Sequence, residues 1–278
     1  MAAAAVLWST GGLVIKLVSL DALQISFWRS AVAALFLSLF LRRDDVRLTS
    51  PLLLTAVTYA GVVTLFVMAM KLTTSANVIF LQYSAPAYVL ILSPLLVGER
   101  AILRDLLTIA ACLLGVSLFF VGDLRPGDWL GNLLAVGSGI AFALLTVLLR
   151  RHRALGTLGM VWAGNVVAAV VALGIVGPRL AVSPGDLLGV VYLGVVQLGL
   201  SYVAFVQGMK RLPAIEASIL MMIEPVLNPV WVFLGIGEVP SAYAILGGIV
   251  VLGSVTAHTL LQGARGIREP APKELASR

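Results

Sequence analysis

The run ILMMIEPVLNPVWVFLGIGE, from Ile219 to Glu238, sets a carboxylate, Glu224, directly before Pro225 and one turn ahead of Asn228, among Ile, Leu, Met, Val, Phe and Trp. A carboxylate in such surroundings can hold a proton or an ammonium group, or it can be bound locally by Asn228. Helical spacing puts Ser218, Met221, Pro225 and Asn228 on one face. A second run, ANVIFLQYSAPAYVLILSPLLVGE, carries Asn77, Gln82, Tyr83 and Pro86 as a polar and aromatic stripe. Opposed, the two stripes would form an adaptable pocket for varied apolar side chains; the alternative is hydrogen bonding between neighbouring helices. Trp8, Trp28, Trp162, Tyr202 and Gln207 are further cavity candidates, although Trp and Tyr also mark membrane interfaces, as Trp129 and Trp231 do on position alone. Pro86 and Pro225 each remove a backbone donor and are candidate hinges, with a plain kink as the alternative.

Reaction chemistry is sparse. His152 falls in a basic loop and His258 near the end of the last apolar run, and no HExxH, GxSxG or phosphate-loop spacing occurs. The single cysteine, Cys112, sits in an apolar run as a small core residue, so disulfides and cysteine metal sites are excluded. An enzyme is therefore the weaker rival, and no metal or cofactor site is expected. A channel would call for polar or charged rings, which the sequence lacks.

The elements that must position these residues are membrane helices. Of 278 residues, 60% are apolar and 12% charged, with a mean hydropathy of +1.05, against roughly 25% charged in a soluble domain. Ten apolar runs follow one another at about 3–20, 23–41, 52–70, 74–97, 103–121, 129–149, 157–177, 187–209, 214–236 and 242–261. Each approaches the roughly 20 residues that cross a bilayer as helix. The opening MAAAAVLWSTGG lacks a basic start and reads as the first span rather than a cleaved signal. The net charge of +6 is spread over short loops, so a nucleic-acid partner is not expected. One set of alternate loops collects Arg42, Arg43, Arg47, Arg100, Arg104, Arg150, Arg151, Arg153, Lys210, Arg211 and the basic tail; the other holds Lys16, Lys71, Arg125 and Arg179. Both termini are expected to be cytoplasmic. Arg29, about a turn inside the second span, reads as a snorkelling side chain or a structural ion pair, with a substrate carboxylate as the alternative.

The chain also resembles itself. At an offset of 139, Met70, Lys71, Pro86, Gly98 and Glu99 fall on Met209, Lys210, Pro225, Gly237 and Glu238. Near the start an offset of 134 puts Trp8 on Phe142, Lys16 on Arg150 and Trp28 on Trp162. The expected fold is an all-α polytopic membrane protein of ten transmembrane helices in two inverted five-helix repeats, residues 1–126 and 127–261, with a cytoplasmic tail over 262–278. An odd number of spans per half forces the inversion, a recurring plan of secondary transporters with a midplane site. Glu99 and Glu238 end helices and read as structural, whereas Glu224 faces Ala85 in the matched half and so breaks the symmetry.

LWSTGGLVIKL, WRSAVAAL, YSAPAYVLILSPLLVGER and IEPVLNPVWVFLGIGE, taken in order, resemble the drug/metabolite transporter superfamily of the EamA type, from about Ala3 to Leu261. The resemblance implies a ten-helix inverted-repeat exporter of amino acids or other small metabolites with a central cavity. Its arginine falls on Arg29, its prolines on Pro86 and Pro225, and its helix-ending pairs on Gly98, Glu99 and Gly237, Glu238. WSTGG stands where many members carry a WG pair. The bacterial aromatic amino-acid exporters are the branch considered, although these motifs do not separate branches. Expected partners are a small-molecule substrate, the lipid bilayer and, as a candidate coupling ion, a proton; other metabolites or drugs are the alternative cargo.

Overall fold

In a computed structural model, residues 1–73, 75–119, 129–177, 180–237 and 242–266 are described; Arg125, Arg179, Glu238 and the tail beyond Gly266 lie outside them, as does the side chain of Asn77. All regular structure among the described residues is helical. In chain order the helices are α1 (Ala2–Ser9), α2 (Gly11–Leu17), α3 (Ala22–Ser38), α4 (Ser50–Leu72), α5 (Ser75–Gln82), α6 (Ala85–Leu96), α7 (Leu103–Phe119), α8 (Trp129–Arg151), α9 (Thr157–Val176), α10 (Pro184–Tyr192), α11 (Ser201–Met209), α12 (Ala214–Met221), α13 (Glu224–Ile236) and α14 (Ala242–Gly266). A π-helical segment, Leu193–Leu200, joins α10 to α11.

Local chemistry starts these helices where the sequence changes character. Asp21 caps α3 through the Leu23 and Gln24 amides, and the Gln24 side chain accepts from the Asp21 amide, a reciprocal capping box. Thr49 and Ser183 cap α4 and α10, each followed by a proline in the first turn, where no donor is needed. The ends of the fourth and ninth runs are set by Gly98 and Gly237, at φ +79° and +74°, a left-handed conformation that glycine reaches without a Cβ clash.

Among the described residues five helices are long and apolar enough to cross a bilayer: Ser50–Ala69, Trp129–Arg151, Thr157–Val176, Pro184–Met209 and Ala214–Gly235. Shorter apolar helices lie at Ala2–Ile15, Ala22–Ser38, Ala85–Leu96 and Ile245–Leu261. Leucines such as Leu35, Leu39, Leu95, Leu114 and Leu188 stand exposed on the outside, a surface suited to lipid rather than water.

Among the described residues three of the ten runs are interrupted by a non-helical break. The first breaks at Thr10. The fourth breaks at Tyr83 and Ser84, the ninth at Met222 and Ile223, positions again 139 apart. Pro86 and Pro225 stand in the first turn of the second piece in each case, and neither can donate to the carbonyl four residues back.

Packing partners exchange in pairs between the halves. α4 packs on α8 and α9, as the π segment and α11 pack on α1, and the π segment on α3. α5 and α6 pack on α8, as α12 and α13 do on α1. The pairs α3 with α9 and α7 with α14 are their own counterparts. Exchange of this kind is what two like halves about a two-fold axis produce.

Each end of the molecule carries a polar clasp between halves. At one, the Glu99 carboxylate accepts from Arg150 Nε at 2.6 Å and from the Ala214 amide at 2.8 Å. At the other, Asp186 accepts from the Ser19 amide at 2.7 Å and its hydroxyl at 2.6 Å. Glu99 thus has the structural role that its position at a helix end implies.

Candidate functional site

Between the halves lies a cavity of about 120 Å³, several times the roughly 10–15 Å³ needed for one water. Its lining comes from both repeats, and matched residues meet in it: Trp8 and Phe142, Val63 and Tyr202, Gln82 and Met221, Ala85 and Glu224. The cavity therefore draws residues from both parts of the chain that match at these offsets.

Aromatic rings build its apolar wall. Trp8 stands edge-on to Tyr202 with ring centres 4.7 Å apart, and its ring is 6.1 Å from that of Phe142. Phe205, fully buried, backs the cluster at 5.1 Å from Trp8. The Tyr59 ring lies 4.9 Å from Tyr202, and its hydroxyl donates to Asn165 Oδ1 at 3.0 Å. Gly164 makes this possible, since a Cβ there would sit 2.6 Å from the Tyr59 side chain.

Four polar side chains face the same space from different helices. Gln82, at the end of α5, donates to Ser138 Oγ at 3.0 Å, and Ser138 donates on to the Val62 carbonyl at 3.0 Å. This chain fixes the amide against α8 and α4. Glu224 opens α13 and lines the cavity together with Tyr83 of the first half. Of the two alternatives for Glu224, the structure places it on the cavity lining, with Asn228 outside that lining. Gln197 projects from the π-helical segment, 9% exposed, and its Oε1 is buried without a hydrogen-bond partner. Gly11 leaves room for it, because a Cβ there would lie 2.9 Å from the amide nitrogen. That is what the second half of WSTGG contacts.

Arg29 corrects the expectation of snorkelling. It is 5% exposed, lines the cavity, and has no carboxylate partner among the described residues. The π segment packs along α3 so closely that a Cβ at Gly194 would lie 3.0 Å from the Arg29 backbone carbonyl.

Of the candidate cavity residues, Glu224, Met221, Ser218, Gln82, Tyr83, Trp8 and Tyr202 come together, with the hinge candidate Pro86. Asn228, Trp162 and Pro225 lie outside the lining, and Gln207 is exposed on α11. Trp231 is not a free belt residue: its indole donates to Ser9 Oγ at 2.8 Å, tying α13 to α1. Trp129 is 72% exposed on α8. Sequence reasoning passed over Gln197 and ranked Arg29 low; a polar or charged residue inside an apolar run was the available signal for both.

The EamA-like transporter family model matches residues 1–121 and 129–259. An uncharacterized transporter of Archaeoglobus fulgidus is 30% identical over 256 residues, spanning 90% of this chain and 92% of that protein. The uncharacterized transporter YdfC of Bacillus subtilis is 30% identical over 95 residues, 34% of this chain and 31% of its own. A crystal structure of a protein 20% identical in sequence shares the fold with a TM-score of 0.82, over 93% of this chain and 95% of that one. Nearly the whole length of this helical, cavity-bearing chain thus belongs to the EamA-like transporter family.

Proposed function

We propose that the protein exports amino acids, with aromatic or other apolar side chains preferred, by alternating access across a bacterial-type inner membrane. The observation that carries this reading is a cavity lined from both halves, in which the Glu224 carboxylate faces a wall of Trp8, Phe142 and Tyr202. A carboxylate suits an ammonium group or a coupling proton, and aromatic faces suit apolar side chains and cations. Residues 1–126 and 127–261 are taken as the two inverted repeats, a division supported by the two family matches and by the exchange of packing partners. Both termini and the tail over 262–278 are assigned to the cytoplasm from the distribution of Lys and Arg.

The two halves rock about the cavity, and the helix breaks at 83–84 and 222–223 act as the bending points, with Pro86 and Pro225 keeping them open. Release of the Glu99–Arg150 clasp opens the end that carries it.

The test is counterflow of radiolabelled phenylalanine, leucine and a polar amino acid in proteoliposomes, with and without a pH gradient. Saturable counterflow favouring phenylalanine is the expected result. Linear flux, or none with any amino acid, overturns the amino-acid reading.

A further inference from the structure

Among the described residues Arg29 is the one cationic side chain in the cavity lining, and no carboxylate there pairs with it. Another arginine in the same chain shows what a structural role looks like: Arg150 gives Nε to Glu99 at 2.6 Å and a terminal nitrogen to the Met209 carbonyl at 3.2 Å. Arg29 makes no such bonds. Its Nε is buried with no hydrogen-bond partner, although the side chain is only 5% exposed. The ionisable groups that act on it include Tyr59 and Tyr202, neutral phenols at physiological pH. Glu224 lines the same cavity from the opposite half but forms no ion pair with it.

A guanidinium cannot shed its proton to escape burial, so its charge persists in the cavity. An arginine inside a membrane helix carries an energetic cost that calls for a function or a partner. Shared architecture does not account for that cost, because the repeat counterpart of Arg29 is Ala163. We propose that Arg29 is the anion-binding residue of the cavity and selects solutes bearing a carboxylate. Its forked donors match a carboxylate in geometry, and the bond gains strength where water is scarce. A zwitterion bound here sets its carboxylate on α3 of the first half and its ammonium toward Glu224 on α13 of the second. The proposal rests on the cavity being the transport site and narrows what that site accepts.

The test measures affinity of the full-length protein, in detergent or nanodiscs, for phenylalanine, 3-phenylpropionate, which lacks the amine, and phenethylamine, which lacks the carboxylate. Wild type is expected to bind both carboxylates. Arg29→Gln should weaken both at least about 10-fold while changing phenethylamine less than about 2-fold. Arg29→Lys keeps the charge without the fork, and should give a smaller loss confined to the carboxylates; it carries the test if the glutamine variant does not fold. Equal weakening of all three probes, unchanged carboxylate binding, or a wild type that binds phenethylamine alone or no probe overturns the proposal. Binding of 3-phenylpropionate through Arg29 without binding of phenylalanine supports the anion site and refutes the amino-acid reading.

Discussion

Breaking the Glu99–Arg150 contact should unlock one end of the molecule, and its geometry sets the size of the effect. The two side chains are 18% and 11% exposed, so the pair is screened far less than a surface ion pair worth about 0.2–1 kcal/mol. Glu99 closes three elements at once: it follows α6, accepts from Arg150 on α8 at 2.6 Å, and accepts from the first amide of α12 at 2.8 Å. Glu99→Gln keeps an acceptor but removes the charge, and hydrogen bonds to charged groups contribute about 1.5–3 kcal/mol. Lost only in the closed state, that amount shifts the closed-to-open ratio about 10- to 150-fold. A Ser218→Cys probe in the cavity, in a Cys112→Ser background, reports the shift as alkylation by a membrane-impermeant reagent added from the clasp side. Ser218 lines the cavity, and Cys112 is fully buried elsewhere. The rate should rise about 10-fold or more in Glu99→Gln, and no further when Arg150→Gln is added. Unchanged alkylation, together with a double-mutant coupling in thermal stability below about 0.3 kcal/mol, refutes the clasp as a gate.

Glu224→Gln should abolish the pH dependence of counterflow while leaving the protein folded; an unchanged pH profile removes Glu224 from any proton-coupled step. Pro86→Ala and Pro225→Ala restore a helical donor at each break, and should slow turnover several-fold with little change in binding, read by initial rates against equilibrium affinity. Gly164→Val should lower thermal stability by about 1–3 kcal/mol, because its Cβ would meet the Tyr59 side chain at 2.6 Å. Tyr59→Phe leaves the fully buried Asn165 Oδ1 without its donor and should cost about 1–3 kcal/mol by the same measurement.

Several of these positions were legible before any coordinates. The match of Pro86 with Pro225 and of Gly98 with Gly237 located two helix breaks and two left-handed helix ends, because proline and glycine impose backbone geometry through their own covalent structure. Glu224 stood out because a carboxylate in an apolar run carries an energetic cost that calls for a partner. Facing was much harder to read. In a soluble helix the apolar face points inward, but here lipid and core are both apolar, so α9 buries Val161 and Ala168 while exposing Val170 and Ile175 with no polar face between. Asn228 and Gln207 fall on plausible faces by spacing, yet lie outside the cavity lining. Gln197 is displaced from the ordinary 3.6-residue repeat by the π-helical segment that carries it, so helical spacing along α10 and α11 does not predict its direction.

The sequence by itself determined the solvent, the helical class and the points where helices must break, since these follow from hydropathy and backbone constraint. Only the tertiary structure decided which polar groups share one space. Arg29 and Gln197, and likewise Tyr83 and Glu224, line one cavity because helices distant along the chain pack together there. Such neighbours are separated by more than a hundred residues, and their meeting depends on the packing of whole helices rather than on any local preference of the chain.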